Sequence, residues 1–356
     1  MIVCRSLLLI GAALALGAAA PPAHVEPATM QRVYDAVKTP FKYGIVLRGR
    51  TEEMVDCPNV FRHAGRWHMI YIAFDGRGYE TRLAVSENLL DWRPLGVILP
   101  RAERGWDAEQ AAGGYALIDH RWDGTWELQS HGGRYWLSYL GGAKTGYETP
   151  PLSIGLASTL EPGRAQTWER LATNPILGPA DADARLFERE TLFKSHILRD
   201  ESRTLGEPFV LFYNARAPRD SERIGIAVSA DMVTWKRHGD AHVLEHERPA
   251  GSKRGVISGD PQIVRLGDLW VMFYFGAFWK PGAFDTFAVS RDLVRWTKWT
   301  GPDLVAPSEP WDAKYAHKPS IVRHEGVVYH FYCAVGSEGR VIALATSRDL
   351  RPPRSP

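Results

Sequence analysis

The chain has 356 residues, a formal net charge of +2, 45% hydrophobic and 24% charged residues. That near-neutral balance argues neither for a nucleic-acid nor for a polyanion partner, and no P-loop, dinucleotide glycine fingerprint, HExxH or paired CxxC is present. The length exceeds that of most single domains, so internal repetition decides the architecture.

The chain opens MIVCRSLLLIGAALALGAAAPPA, in which Arg5 precedes an apolar run from Leu7 to Leu16 and then Gly-Ala-Ala-Ala. This reads as a secretory signal peptide over residues 1–20, cleaved after Ala20 and too short to span a membrane comfortably. The expectation is a secreted or periplasmic protein with no membrane attachment after cleavage. A linker over 21–40 follows. Cys4 falls in the signal, and the remaining Cys57 and Cys333 are too few for a disulfide framework.

Residues 41–48, FKYGIVLR, are strand-like, and a first unit follows. Its short runs of alternating apolar residues predict strands at Pro58–His63, Arg66–Phe74, Thr81–Ser86 and Trp92–Leu99. The phrase AVSENLLDW at 84–92 returns as AVSADMVTW at 227–235 and AVSRDLVRW at 288–296, with weaker echoes at 155–162 and 343–350. In each, Ser-x-Asp/Asn predicts a turn and the tryptophan begins the next strand. A second repeated phrase lies upstream of each serine: 58–74, 128–142, 190–215, 261–277 and 319–335. Five units of four antiparallel strands predict an all-β chain, a five-bladed β-propeller over 41–356. The fifth unit stops before its fourth strand, and residues 41–48 are expected to supply it and close the ring.

In such a fold the first strand of every unit faces the central axis. Aligned there are Val55-Asp56-Cys57-Pro58, Thr125-Trp126-Glu127-Leu128, Phe187-Glu188-Arg189-Glu190, Ser258-Gly259-Asp260-Pro261 and Ala316-His317-Lys318-Pro319. Four units carry a carboxylate and the fifth a His-Lys pair. Crowded carboxylates separate in pKa, which supplies the proton donor and the ionised partner that glycosidic cleavage needs.

These inner-strand acids, with HKPSIVRHEGVVYHFYCAV and the repeated AVSxDLxxW, resemble the glycoside hydrolase family 43 type of propeller, shared with families 32 and 130. The resemblance covers almost the whole mature chain. It implies a general base at Asp56, one residue out of step with the family's Asp-Pro, and an acid-tuning role for Glu127. It implies a general acid at Glu188, with Glu190 as rival on the same side of the strand. Asp260 is the alternative base or a substrate contact. Arg189 and Lys318 are candidates to hold substrate groups, and His317 to bind a central cation or water, as a fifth-blade histidine does in family 43. Trp106 and Trp311, each opening a Trp-Asp-Ala phrase, and Trp126 are candidates to stack on sugar, with loop bracing as the other reading of the first two. The function expected is an inverting glycoside hydrolase that acts as a monomer on carbohydrate, requires no cofactor, and holds at most a structural cation in its channel. The alternatives are a retaining mechanism, a carbohydrate-binding propeller without activity and a glycoside phosphorylase.

Overall fold

The computed structural model describes residues 24–244 and 255–351. The expected signal peptide and Cys4 lie outside the described residues. Part of the expected linker is a helix, α1 (Pro27–Val37), that buries Met30, Val33 and Val37. Their spacing of three and four puts them on one face, and a proline at the first turn suits a helix start. Tyr34 stacks on Trp299 with ring centroids 4.9 Å apart, docking the helix on the strands.

The rest is nearly all β. After β1 (Phe41–Leu47) come β2 (Met54–His63), β3 (Arg66–Phe74), β4 (Tyr79–Ser86) and β5 (Arg93–Leu99), paired antiparallel in sequence order. β6 (Gln110–Ala116), β7 (Ser130–His131), β8 (Arg134–Gly142), β9 (Leu152–Thr159) and β10 (Glu169–Arg170) form the next group, with β8 between β6 and β9. β11 (Thr191–Arg199), β12 (Phe209–Arg216), β13 (Glu222–Ser229) and β14 (Lys236–Arg237) follow. Then come β15 (Ile257–Leu266), β16 (Leu269–Ala277), β17 (Ala283–Ser290) and β18 (Trp296–Lys298). The last group is β19 (Tyr315–His324), β20 (Val327–Gly336) and β21 (Gly339–Thr346). β1 pairs antiparallel with β21, from Phe41 opposite Thr346 to Leu47 opposite Ile342.

The first strands of the groups touch in a circuit: β2 meets β6 and β19, β11 meets β6 and β15, and β15 meets β19. Each carries a register shift, at Asp56/Asn59, Gly113/Ala116, Leu192/Ser195, Gly259/Gln262 and His317/Ser320, near the start of every strand except β6, where it falls at the end. A bulge of this kind re-aims side chains and is frequent next to functional sites.

The repeated nine-residue phrase is a self-closing turn. Ser86 Oγ accepts from the backbone of Asn88 and Leu89, and Ser229 Oγ from Asp231 and Met232. Leu89, Met232 and Leu293 take positive φ of 67°, 69° and 67°. The following indoles, Trp92, Trp235 and Trp296, donate to their carbonyls at 3.1, 3.0 and 2.9 Å. The tryptophan thus locks the turn as well as covering the sheet.

The second group departs from expectation. Its inner strand is β6, not the segment containing Trp126 and Glu127. QAAGGYA is small and nearly featureless, so no alternation of bulky residues marks it. Its glycines are spatial requirements: a Cβ on Gly114 would lie 2.4 Å from the Ser195 carbonyl oxygen. Trp126 and Glu127 run instead beside β2, where Arg62 bonds to the Trp126 carbonyl and the Leu128 amide.

Candidate active site

The bulges of the inner strands converge on a cavity of about 190 Å³. Cys57, Asp260 and Lys318 sit at matching bulge positions with φ of 50°, 49° and 66°, and each is followed by proline. Positive φ is costly for such residues and persists where the surroundings impose it, typically at functional sites. All three line the cavity. Glu148, in the loop between β8 and β9, also lines it and has φ of 46°. Glu222 enters from the start of β13, where its amide bonds to the Val256 carbonyl at the junction with β15.

Lys318 donates to Asp56 at 2.9 Å and to Glu148 at 3.3 Å. Arg340, on β21, donates to the same Asp56 oxygen at 2.7 Å, and the Tyr147 hydroxyl lies 3.4 Å from it. Burial works to raise the Asp56 carboxyl, but Lys318 and Arg340 outweigh it and hold it well below the usual carboxylate range. For Lys318 burial acts to lower the pKa, and Asp56 leads the charges that hold it well above the usual lysine value.

Glu222 is the opposite case. Burial first, and then the charge of Glu148, push its carboxyl up to about 8. Arg216, 3.7 Å away, opposes this only partly. At neutral pH Glu222 therefore carries a proton beside a second carboxylate that is paired with Lys318. Asp260 accepts from Asn214 Nδ2 at 3.0 Å and from the Cys57 thiol at 3.7 Å. The His317 ring Nδ1 lies 3.1 Å from the Cys333 carbonyl oxygen. Burial, aided by Arg340 and Lys318, pushes its pKa down to about 3, so it is neutral.

Of the residues singled out in the sequence, Asp260, His317 and Lys318 line the cavity. Asp56 is completely buried beneath it, with Lys318 and Arg340 occupying one oxygen and the Cys57 amide bonded to the other at 2.8 Å. The one-residue offset of Asp56 from the Asp-Pro pattern is the cause, since a slip of one along a strand exchanges the two faces. Asp260, directly before its proline, keeps the cavity-facing position.

Glu127 is half-exposed and lies 3.8 Å from Arg62, outside the cavity lining. Glu188 precedes β11 in a single 3-10 turn (Leu186–Glu188). It is buried and held by Arg185, Arg237 and the Tyr213 hydroxyl at 2.6, 2.6 and 2.8 Å, which leaves it no approach to a ligand in the cavity. Glu190 accepts from Arg216 at 2.7 Å, the arginine that also lies 3.7 Å from Glu222, and does not line the cavity. Arg189 lines a separate surface cavity with Asp183 and Asp240.

None of the three tryptophans lines the cavity. Trp126 is buried in the core. Trp106 packs on Tyr139 with ring centroids 5.4 Å apart, over Gly141 and Gly155. The Trp311 indole reaches the Tyr332 hydroxyl at 3.4 Å. The aromatic surfaces of the cavity come from Tyr147, Phe193, Phe275, Phe278 and Tyr315.

Sequence reasoning missed Glu148, Glu222, Lys194 and Arg340, all of which line the cavity. Only Lys194 lies on an inner strand; aligning the Leu192/Ser195 bulge with Asp56/Asn59 sets it at the position of Pro58, with Phe193 at that of Cys57. Among the described residues, no group of three or more His, Cys, Asp or Glu side chains is arranged to hold a metal ion.

No protein-family model and no curated protein matches the sequence. Among solved structures, a BT0996 RGII complex is 45% identical, with 94% of this protein and 98% of that one covered and a TM-score of 0.87. A glycoside hydrolase is 44% identical with the same coverage and a TM-score of 0.87. A thermostable family-43 glycoside hydrolase is 15% identical over 90% of this protein and 98% of that one, with a TM-score of 0.62, a likeness of fold alone.

Proposed function

Because the protein belongs to the glycoside hydrolases with a family 43-like propeller fold, we propose that it hydrolyses a glycosidic bond in a carbohydrate, with Glu222 as proton donor and Glu148 as its ionised partner. The observation that carries this is the division of labour between two carboxylates in one cavity. Glu222 is held protonated up to about pH 8, while Glu148 is paired with Lys318. Such a split is the requirement of glycoside cleavage. The Glu222 proton passes to the departing glycosidic oxygen as the bond to the anomeric carbon breaks. Glu148 takes a proton from the attacking water, or attacks the anomeric carbon itself.

The proposed architecture is five blades, one for each repeat, with β1 as the outer strand of the last. Chemistry of this type needs no cofactor. The RGII named for the 45%-identical structure is the first carbohydrate to offer, and the N-terminal sequence fits a secreted or periplasmic protein; the enzyme is proposed to act as a monomer.

The test is turnover of RGII oligosaccharides and aryl glycosides by the wild type, Glu222→Gln and Glu148→Gln. Each variant is expected to lose about 100- to 10,000-fold in rate, and only Glu222→Gln should recover on substrates with good leaving groups. Full activity in either variant would overturn its assignment. Turnover that requires added phosphate would mark a phosphorylase, and binding without turnover a carbohydrate-binding propeller.

A further inference from the structure

Lys194 lines the cavity with only 4% of its side chain exposed, and its ammonium has no hydrogen-bond acceptor among the described residues. The Tyr115 ring lies 4.7 Å from it on one side. Its nearest carboxylate oxygen, on Asp260, is 4.0 Å away, beyond a direct hydrogen bond. Buried ammonium groups are ordinarily paired and hydrogen-bonded, because an unmet one is costly. Among the described residues, that same Asp260 oxygen has only the weak Cys57 thiol donor, at 3.7 Å. A strong donor without an acceptor thus faces a carboxylate oxygen without a strong donor.

One hydroxyl group satisfies both. Its oxygen accepts from Lys194 and its proton points to Asp260. We propose that Lys194 and Asp260 form a clamp for one hydroxyl of the bound sugar and select a neutral sugar unit there, a reading that rests on the hydrolase assignment. The neighbouring charges decide against an acidic sugar. A ligand carboxylate near Lys194 would stand beside Asp260 and be repelled. A hydroxyl brings no such charge, and sites built to hydrogen-bond a hydroxyl discriminate strongly against analogues that lack it.

The experiment is calorimetric titration of RGII oligosaccharides, and of neutral monosaccharides against the matching uronic acids, into Glu222→Gln protein with or without Lys194→Met, Asp260→Asn or both. Kinetics are measured in parallel with the Glu222 enzyme. Each clamp substitution should weaken binding roughly ten- to a hundred-fold, and the double variant should lose less than the two singles combined. Lys194→Met should melt no lower than its parent, since a side chain of similar length replaces a buried ammonium without an acceptor; a residue serving structure alone would lower it.

Unchanged binding by Lys194→Met overturns the clamp, as does Lys194-dependent preference for the uronic acids. Absence of binding to every sugar by all forms also overturns it. Should Lys194→Met fold poorly, Asp260→Asn and the deoxy analogues of whichever sugar binds test the same contact. If the enzyme turns over and Lys194→Met leaves KM and kcat unchanged, the clamp fails and the hydrolase reading stands. If binding depends on Lys194 but no form turns over, the hydrolase reading fails and the clamp stands.

Discussion

Asp56 and Lys318, 262 positions apart in the chain, meet at 2.9 Å beneath the cavity. The contact joins β2 to β19 and aims the rest of the Lys318 ammonium at Glu148. With Arg340 on the same carboxylate oxygen, Asp56 anchors two cations that line the cavity wall, a positioning role.

Asp56→Asn should therefore destabilise the protein by about 3–5 kcal/mol, the usual cost of stripping a partner from a buried ion pair. The pH dependence has a definite sign. The folded carboxyl is held below its ordinary value near 3.8, so its contribution is present above that pH and is lost as pH falls through the lowered value. Denaturant melts of both proteins between pH 7 and pH 3 measure this, and equal midpoints at neutral pH would remove the anchoring role.

Glu222 should titrate in the other direction. Its folded pKa of about 8 lies above the ordinary 4.5, so the stability linked to its proton is full below pH 4.5 and is lost as pH rises through 8. Glu222→Gln should consequently gain on the wild type across that window, by an amount on the order of a few kcal/mol. Wild-type kcat/KM should fall above pH 8 as the proton donor is lost. Melts and a pH–rate profile check both limbs.

Trp106→Ala should destabilise the protein, by less than the about 3–5 kcal/mol of a fully buried aromatic because Trp106 is only partly buried against the core, and leave sugar affinity unchanged in the folded protein. Gly141→Ala tests the same packing from the other side, because its Cβ would lie 2.3 Å from the indole. Weaker sugar binding with unchanged stability in Trp106→Ala would restore the stacking role.

Deleting Phe41–Leu47 removes the partner of β21 and should leave an exposed edge, with aggregation or loss of cooperative unfolding. Light scattering and thermal melts report it. A soluble monomer that melts as the full-length protein does would show that β1 merely covers the surface.

The strand pattern was readable because repetition reinforced it: an alternating run that is ambiguous once is not ambiguous beside its copies. β6 escaped because its glycines and alanines are chosen for close approach of neighbouring backbone and carry no β signature. The site was harder to read. Asp260 and Lys318 stood out because a charged residue precedes proline at a strand start. Glu148 lies in a loop within its group, and Glu222 opens the third strand of its group, reaching the cavity where that strand meets β15; neither position carries a strand-start signal. Glu188 misled because a carboxylate in the right stretch of sequence looks the same whether it faces a ligand or, as here, two guanidinium groups.

The pairing of β1 with β21 also sets an order in time. Phe41 and its hydrogen-bonding partner Thr346 are 305 positions apart, so the earliest strand to be synthesised is among the last to be satisfied. The loop entropy of that contact grows only slowly with length, but contacts so distant in sequence form late and slowly. Until then both edges stand open, and a polypeptide interrupted short of residue 339 has made no partner for its own beginning.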